Sequence, residues 1–174
     1  FNDFLAEQMA KGNSFFHYHS STVDSLSSCC RLRNQIEVDP FAYSLGGTGI
    51  MTGSLKVITL NMNYIIQKKV DLKKKVQDVH KYLIAFRMLM QDMEKAKLFP
   101  AYDEGYIAID KQYITVGING MVEAAEYLGY EITNNEPYKD WIKATFKTIS
   151  DENKVGASYY SKFLGRPVMI NSEL

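Results

Sequence analysis

The chain has very little cysteine and no excess of charge of either sign. Its only two cysteines are Cys29 and Cys30, and adjacent cysteines do not form the disulfide framework of a small secreted domain, so we expect a reducing, cytoplasmic location. Twenty basic residues balance twenty acidic ones, so the charge predicts binding neither to nucleic acid nor to a membrane surface. The sequence also lacks an apolar run long enough to span a bilayer and a recognisable signal peptide.

The length and composition are those of one domain or of part of one. With 174 residues, 46% of them apolar, the chain can build a real hydrophobic core. It begins with Phe1 rather than with methionine. We therefore expect an excerpt of a longer polypeptide, with residues 1–174 forming a single segment.

The order of predicted elements indicates an α/β fold. Strands are predicted from apolar or aromatic runs, helices from apolar spacing, and ends from glycine, such as Gly12 and Gly129. The predicted elements are a helix end at 1–12, a strand at 14–20, an irregular loop at 21–34, a glycine-rich connection at 44–54, a strand buried on both faces at 55–61, a helix at 64–98, an extended piece at 106–109, helices at 119–129 and 136–153, and a strand at 168–170.

The long predicted helix carries an apolar seam that repeats every seven residues. One series starts at Ile65 and ends at Met93, and a second runs through Val76, Leu83 and Met90. This period is typical of a coiled coil, so the seam favours either a partner helix or packing within the same domain. We expect His80, on the same helix, to be exposed.

The cysteine pair is the best candidate for chemistry. It stands in the run Ser27-Ser28-Cys29-Cys30-Arg31-Leu32-Arg33-Asn34, and a nearby arginine lowers the pKa of a thiol and raises its reactivity. The alternatives are two small buried side chains or a strained vicinal disulfide. A zinc site would need about four ligands, which two adjacent cysteines do not supply.

Further blocks follow the cysteines at characteristic positions. They are Gly46-Gly47-Thr48-Gly49-Ile50-Met51-Thr52-Gly53-Ser54, then Val57-Ile58-Thr59-Leu60-Asn61-Met62-Asn63, and then the stretch from Asp110 to Gly129 that contains Gly117-Ile118-Asn119-Gly120. Together with the cysteine run, these blocks resemble the anaerobic, class III, glycyl-radical ribonucleoside triphosphate reductases. The resemblance extends from about Phe1 to about Lys154.

The resemblance implies a fold, a reaction and partners. The fold would be part of a ten-stranded α/β barrel in which a finger loop carries the reactive cysteine into the centre. The reaction would be radical reduction of ribonucleoside triphosphates to deoxyribonucleoside triphosphates, which serves DNA replication. The resemblance also implies a glycyl radical, zinc and nucleotide effectors such as ATP elsewhere in a longer chain, a radical-SAM activating enzyme, and a homodimer.

The resemblance assigns roles to several residues. Cys30 would be the thiyl-forming residue, with Cys29 as the alternative, and Asn61 would bind ribose hydroxyls unless it only closes its strand. The glycine loop 46–54 lacks the ending of a P-loop, so we expect it to be a tight connection.

Residues 117–120 are the better candidate for binding an anion. We place Gly117, Asn119 and Gly120 at the start of a helix, where free N–H groups would favour the triphosphate. The alternative is an ordinary helix cap.

Three other polar residues receive no chemical role. His17 and His19 share a strand face, but a metal would require at least one more ligand, so packing or a polar wall is favoured. Glu173 follows an apolar strand, as a glutamate does in some family members, and its role stays open.

Two rival functions remain at this point. The chain could be a helical interaction module or a split subunit without catalysis of its own, because the heptad seam could pair with a partner helix. It could also belong to another glycyl-radical enzyme that acts on a different substrate.

Overall fold

The computed structural model describes residues 2–13, 25–27, 33–35 and 53–173. The predictions for residues 14–20 and 44–52, and for both cysteines, lie outside these ranges. The helices are α1 (Asn2–Ala10), α2 (Met62–Gln67), α3 (Leu72–Lys95), α4 (Pro100–Asp103), α5 (Met121–Tyr127) and α6 (Glu136–Leu164). The strands are β1 (Ser25–Ser27), β2 (Arg33–Gln35), β3 (Ser54–Asn61), β4 (Tyr113–Asn119) and β5 (Met169–Glu173).

The described strands form two sheets. β1 and β2 pair antiparallel, so the predicted irregular loop at 21–34 contains a short strand pair. The second sheet is parallel, with the order β3-β4-β5. Helices α3 and α6 pack against each other, with α3 against β3 and β4 and α6 against β5. The α/β class is therefore confirmed, as two crossovers that return to a parallel sheet.

The hydrophobic core lies between this sheet and the two long helices. Alternate residues of β4 are fully buried there, including Ile114 and Val116. They meet Val76 and Leu83 of α3 and Ile149 of α6, which are also fully buried. The apolar seam of α3 therefore packs within its own domain.

The single helix predicted over residues 64–98 is wrong, because this region forms two helices, α2 and α3. Lys69 adopts a left-handed conformation with φ of 50°, which separates α2 from α3. Asp71 then caps α3, and its carboxylate accepts a hydrogen bond from the backbone N–H of Lys74 at 3.2 Å. The seven-residue apolar repeat continues through this break, so the sequence pattern did not indicate that Asp71 caps a second helix.

The strand prediction at 55–61 is right in position and wrong in burial. Lys56, Val57 and Thr59 are exposed, and only Leu60 is buried. The reason is that β3 is an edge strand within the described part of the chain, where it pairs with β4 alone.

Three element boundaries also differ from the predictions. Residues 106–109 form no strand, and a 3₁₀ turn occupies Ile109–Lys111. The helix expected from Asn119 begins at Met121, because Asn119 is the last residue of β4 and Gly120 precedes the helix. Helix α6 runs past the predicted end at 153 to Leu164, where Gly165 stops it with φ of 63°.

His80 is buried, with 2% of its surface exposed, which corrects the prediction of an exposed side chain. Its Nε2 lies 2.8 Å from Oδ1 of Asn153 in α6. The ring packs on Gly156, where an added Cβ would lie 2.6 Å from Nδ1. Burial lowers the pKa of His80, and the hydrogen bond with Asn153 opposes this shift. The residue therefore joins α3 to α6, and its burial favours the neutral imidazole.

Arg87 is fully buried and forms hydrogen bonds with the segments that precede β4 and β5. Its guanidinium donates to the carbonyl of Ile109 at 3.1 Å, to the carbonyl of Pro167 at 2.7 Å and to Oδ1 of Asp110 at 2.8 Å. Burial lowers the pKa of Arg87, and the charge of Asp110 opposes this shift. Arg166 binds the other oxygen of Asp110 at 3.0 Å. This cluster sets where β4 and β5 begin.

Candidate functional site

The sheet has a polar face on the side opposite α3 and α6. Lys56 of β3 lies over the ring of Phe86 in α3, 5.1 Å from its centroid. Because side chains alternate along a strand, the neighbouring positions of β3 point away from the helices. The strand register places residues of β4 and β5 beside them. We call this side the polar face, and its members are Val57, Thr59, Asn61, Thr115, Gly117, Asn119, Asn171 and Glu173.

A chain of hydroxyl groups crosses the polar face. Thr115, which is fully buried, donates to Oδ1 of Asn171 at 2.7 Å. The Ser54 hydroxyl lies 2.8 Å from Thr115 Oγ1. Since the single proton of Thr115 points to Asn171, Ser54 donates to Thr115. These bonds use the single proton of Thr115 and connect all three strands.

Asn61 lies at the carboxyl end of β3, as predicted. Its Oδ1 accepts a hydrogen bond from the backbone N–H of Tyr64 at 3.0 Å and so caps α2. Asn61 therefore has a structural role at the end of its strand, as one of the two alternatives drawn from the sequence expected. Within residues 53–173 no hydrogen bond uses the NH₂ group of Asn61, so this side chain can still donate to a ligand.

Asn119 and Gly120 lie beside Asn61. Asn119 is the register partner of Asn61 across the two strands, and its Oδ1 accepts from the N–H of Gly120 at 2.8 Å. Gly120 has φ of 76°, and an added Cβ would lie 3.2 Å from the backbone nitrogen of Asn63. Glycine at position 120 thus permits the close approach of α2 and α5.

Gly117 does not lie at the start of a helix. It lies inside β4, is buried, and pairs with Thr59 on one side and with Glu173 on the other. An added Cβ would lie 2.5 Å from Oγ1 of Thr59. The close approach of Thr59 therefore requires glycine at this position.

A polar cleft joins three of the predicted residues at the carboxyl ends of the strands. It has a volume of about 250 Å³ and is lined by Thr59, Leu60, Asn61, Asn63, Asn119, Gly120 and Glu123. Ligands of parallel α/β sheets bind at this end. Among the described residues, the lining contains a carboxylate, Glu123, and no cation, so this part of the cleft favours a neutral group that accepts hydrogen bonds over a phosphate.

A second, larger cleft lies on the other side of β3. Its volume is about 820 Å³, within the range of ligand pockets, and its lining includes Lys75, Tyr64 and Tyr82. Thr59 and Asn61 line both clefts.

Cys29, Cys30, His17 and His19 lie outside the described residues. Across residues 2–13 and 53–173 no group of three histidine or acidic side chains has the arrangement of a metal site. In the same ranges no helix is long and apolar enough to cross a membrane.

Thr59 and Glu123 are among the residues of the polar cleft that sequence reasoning missed. Thr59 stands two positions before Asn61, and a period of two along a strand would have placed both on one face. Glu123 lies in the first turn of α5, and only the true start of that helix brings it to the cleft.

A comparison with known protein families shows the family to which this chain is related. The profile described as anaerobic ribonucleoside-triphosphate reductase matches residues 1–161. The chain belongs to this family of anaerobic ribonucleoside-triphosphate reductases. A comparison with curated protein sequences gave no match.

Solved reductase structures show the same fold in part. The anaerobic ribonucleotide reductase from Thermotoga maritima in complex with dATP and CTP is 27% identical, with a TM-score of 0.60 over 68% of this chain and 22% of that chain. The same enzyme with glycerol in the active site gives 27% identity and a TM-score of 0.63, over 75% and 23% of the two chains. The present chain thus spans less than a quarter of the reductase chains that it matches.

Proposed function

We propose that the complete protein reduces ribonucleoside triphosphates to deoxyribonucleoside triphosphates under anaerobic conditions. The family match over residues 1–161 supports this reaction most strongly. The polar cleft at the carboxyl ends of β3 and β4 supports a role for this segment in holding the substrate. In this proposal residues 1–174 form one segment of the catalytic domain and do not turn over substrate alone.

The three-stranded parallel sheet would be part of the family's ten-stranded barrel. The finger loop of that barrel would carry Cys30, and the polar face of the sheet would face the substrate. The structural likeness covers 68–75% of this chain in the two Thermotoga maritima structures, which supports the barrel. The placement of Cys30 depends on the sequence resemblance alone.

Cys30 would perform the hydrogen abstraction. Its thiyl sulfur would take the hydrogen atom from C3′ of the ribose, so that an S–H bond forms, the C3′–H bond breaks and a carbon radical remains. The 2′-hydroxyl would then gain a proton and leave as water. Formate or a redoxin would then supply the reducing electrons. Cys29 is the alternative for this role.

Asn61, Asn119 and Gly120 would bind the sugar rather than the triphosphate. The NH₂ groups of the two asparagines are donors of the kind that ribose oxygens accept. Glu123 in the same cleft would repel phosphate oxygens, and α5 has only seven residues, so its dipole contributes little. We therefore propose a site for sugar hydroxyls here, in place of the anion site that the sequence suggested at 117–120.

The remaining parts of the reaction would come from outside this segment. The proposal requires the rest of the reductase chain, the glycyl radical installed by a radical-SAM activating enzyme, zinc, nucleotide effectors and a homodimer. These requirements follow from the family.

The interaction-module alternative loses its main support. Val76, Val79 and Leu83, which belong to the predicted seam, are buried against the chain's own sheet and α6. The second alternative, another glycyl-radical enzyme, loses support because the matching family profile is that of the reductases.

The test uses the complete reductase that contains this segment. Cys30→Ser should abolish formation of deoxyribonucleotides by the activated enzyme and leave nucleotide binding intact, because the hydroxyl oxygen cannot replace a thiyl sulfur. Cys29→Ser is the matched control and should keep measurable turnover. Normal turnover of Cys30→Ser would contradict the assignment, and an inactive Cys29→Ser with an active Cys30→Ser would transfer the role to Cys29.

A further inference from the structure

Asparagine followed directly by glycine occurs once in the chain, at Asn119-Gly120. In such a dipeptide the backbone nitrogen of the glycine can attack the side-chain amide of the asparagine and close a five-membered succinimide ring. Glycine permits this closure because it has no Cβ and adopts a wide range of backbone angles. Asn119 is therefore the asparagine of this chain whose following residue hinders the reaction least.

The structure places the two reacting groups side by side. The N–H of Gly120 donates to Oδ1 of Asn119 at 2.8 Å, so its nitrogen lies close to the amide carbon that bears this oxygen. Within residues 53–173 this N–H donates to no backbone carbonyl, and no hydrogen bond uses the NH₂ group of Asn119. Neither the attacking nitrogen nor the leaving group is thus held by another described residue.

The reaction needs only water, and Asn119 is exposed. The nitrogen of Gly120 loses its proton to the solvent and forms a bond to Cγ of Asn119. The Cγ–Nδ2 bond then breaks, and the nitrogen gains a proton from the solvent and leaves as ammonia. Water opens the ring at Cγ to give aspartate, or at the backbone carbonyl to give isoaspartate, in which the main chain runs through Cγ. Both products carry a carboxylate in place of the amide.

We propose that Asn119 is a site of spontaneous deamidation, and that its conversion weakens substrate binding in the polar cleft as the protein ages. The first part depends on the dipeptide and its geometry, whereas the second part rests on the proposed function. The polar cleft already contains the carboxylate of Glu123. A second carboxylate would replace the NH₂ donor of Asn119 and would repel the phosphates of a nucleotide.

The first experiment follows deamidation in the complete reductase, incubated without oxygen at neutral and at alkaline pH. Tryptic cleavage after Lys111 and Lys139 gives one peptide that contains Asn119, Asn134 and Asn135, and fragment ions in the mass spectrum locate the changed residue. Asn134 is the matched internal control, because it is also exposed but precedes a residue with a Cβ. Asn119 should convert several times faster than Asn134, and faster at alkaline pH, because the attacking nitrogen must lose its proton.

Equal rates at Asn119 and Asn134 would overturn the deamidation site, whether or not the reductase is active. Asn119→Gln keeps a side-chain amide, but its reaction would need a six-membered ring, so this variant should stay unmodified at position 119. Gly120→Ala is a poorer control, because the φ of 76° at this position strains a residue that has a Cβ.

The second experiment measures the effect on substrate binding. Calorimetry gives the affinity for CTP of freshly prepared wild type, of aged wild type and of Asn119→Asp, which has the structure of one product. The loss of one hydrogen bond between neutral groups should weaken CTP binding by Asn119→Asp about two- to tenfold, and charge repulsion should add to this. Aged wild type should lose binding in proportion to its converted fraction. A thermal unfolding profile shows whether Asn119→Asp is folded.

The outcomes separate this inference from the proposed function. If Asn119 converts but Asn119→Asp binds CTP as tightly as the wild type, the effect on binding and the substrate role of Asn119 are overturned, and the deamidation site stands. A wild type that converts at Asn119 but forms no deoxyribonucleotide when activated would overturn the proposed function alone.

Discussion

Replacing Arg87 by methionine should strongly destabilise the chain. Methionine fills much of the same volume but donates to none of the three groups that Arg87 binds. The partly buried carbonyl of Pro167 then loses its donor, whereas the carbonyl of Ile109 loses the charged donor and keeps the backbone N–H of Gln112 at 3.1 Å. A hydrogen bond from a charged donor contributes roughly 1.5–3 kcal/mol, and since Ile109 and Asp110 keep other partners, we expect a total loss of about 2–4 kcal/mol.

Arg166→Met is the matched control because Arg166 binds the same carboxylate from the surface. Its side chain is 40% exposed, whereas that of Arg87 is 0% exposed. An exposed ion pair contributes less than about 1 kcal/mol, so Arg166→Met should have a small effect.

The free energy of unfolding is measured by denaturant titration of the wild type and both variants. In thermal unfolding, 1 kcal/mol corresponds to about 2–4 °C for a chain of this size, so Arg87→Met should lower Tm by roughly 5–15 °C. Equal losses for the two variants, or a loss below about 1 kcal/mol for Arg87→Met, would refute the argument that burial decides the difference.

Two further predictions concern the joint between α3 and α6. Burial lowers the pKa of His80 in the folded chain, whereas in the unfolded chain it is about 6.5. Below about pH 6.5 the unfolded chain therefore binds more protons than the folded chain. The free energy of unfolding should thus fall as the pH decreases from about 6.5 toward the folded pKa. His80→Gln should show a smaller fall in unfolding free energy between about pH 7.5 and 5.5, and identical slopes for the two proteins would contradict this. Gly156→Ala should lower the free energy of unfolding by about 1 kcal/mol, because overpacking against His80 exceeds the gain in helix propensity. Val155→Ala, at an exposed neighbouring position, is the control in the same denaturation experiment. A Gly156→Ala variant more stable than the wild type would refute the steric argument.

The sequence predicted the elements whose signals are local. Gly12 and Gly129, which were expected to end helices, have positive φ values of 86° and 79°. The apolar run ending at Asn61 forms a strand, and Trp141 to Ile149 contribute to the inner side of α6. Such signals depend on spacing and on glycine, which the chain displays directly.

The errors arose where one local signal concealed another. The apolar period continued through Asp71, so the break between α2 and α3 was missed. The motif at 117–120 drew attention to a helix start, although Ile114, Val116 and Ile118 alternate as a strand requires. His80 and Arg87 were taken as exposed or ignored, since the sequence does not show which polar side chains find buried partners.

The sequence by itself determined the family, the α/β class and the position of Asn61 at the end of a strand, because each depends on residues that are near one another in the chain. Only the tertiary structure decided that Asn61 meets Asn119, that Gly117 lies under Thr59 and that Glu123 enters the same cleft. These contacts join residues about 58–64 positions apart. Their proximity depends on the register of two parallel strands and on the packing of α3 behind them, which no local pattern specifies.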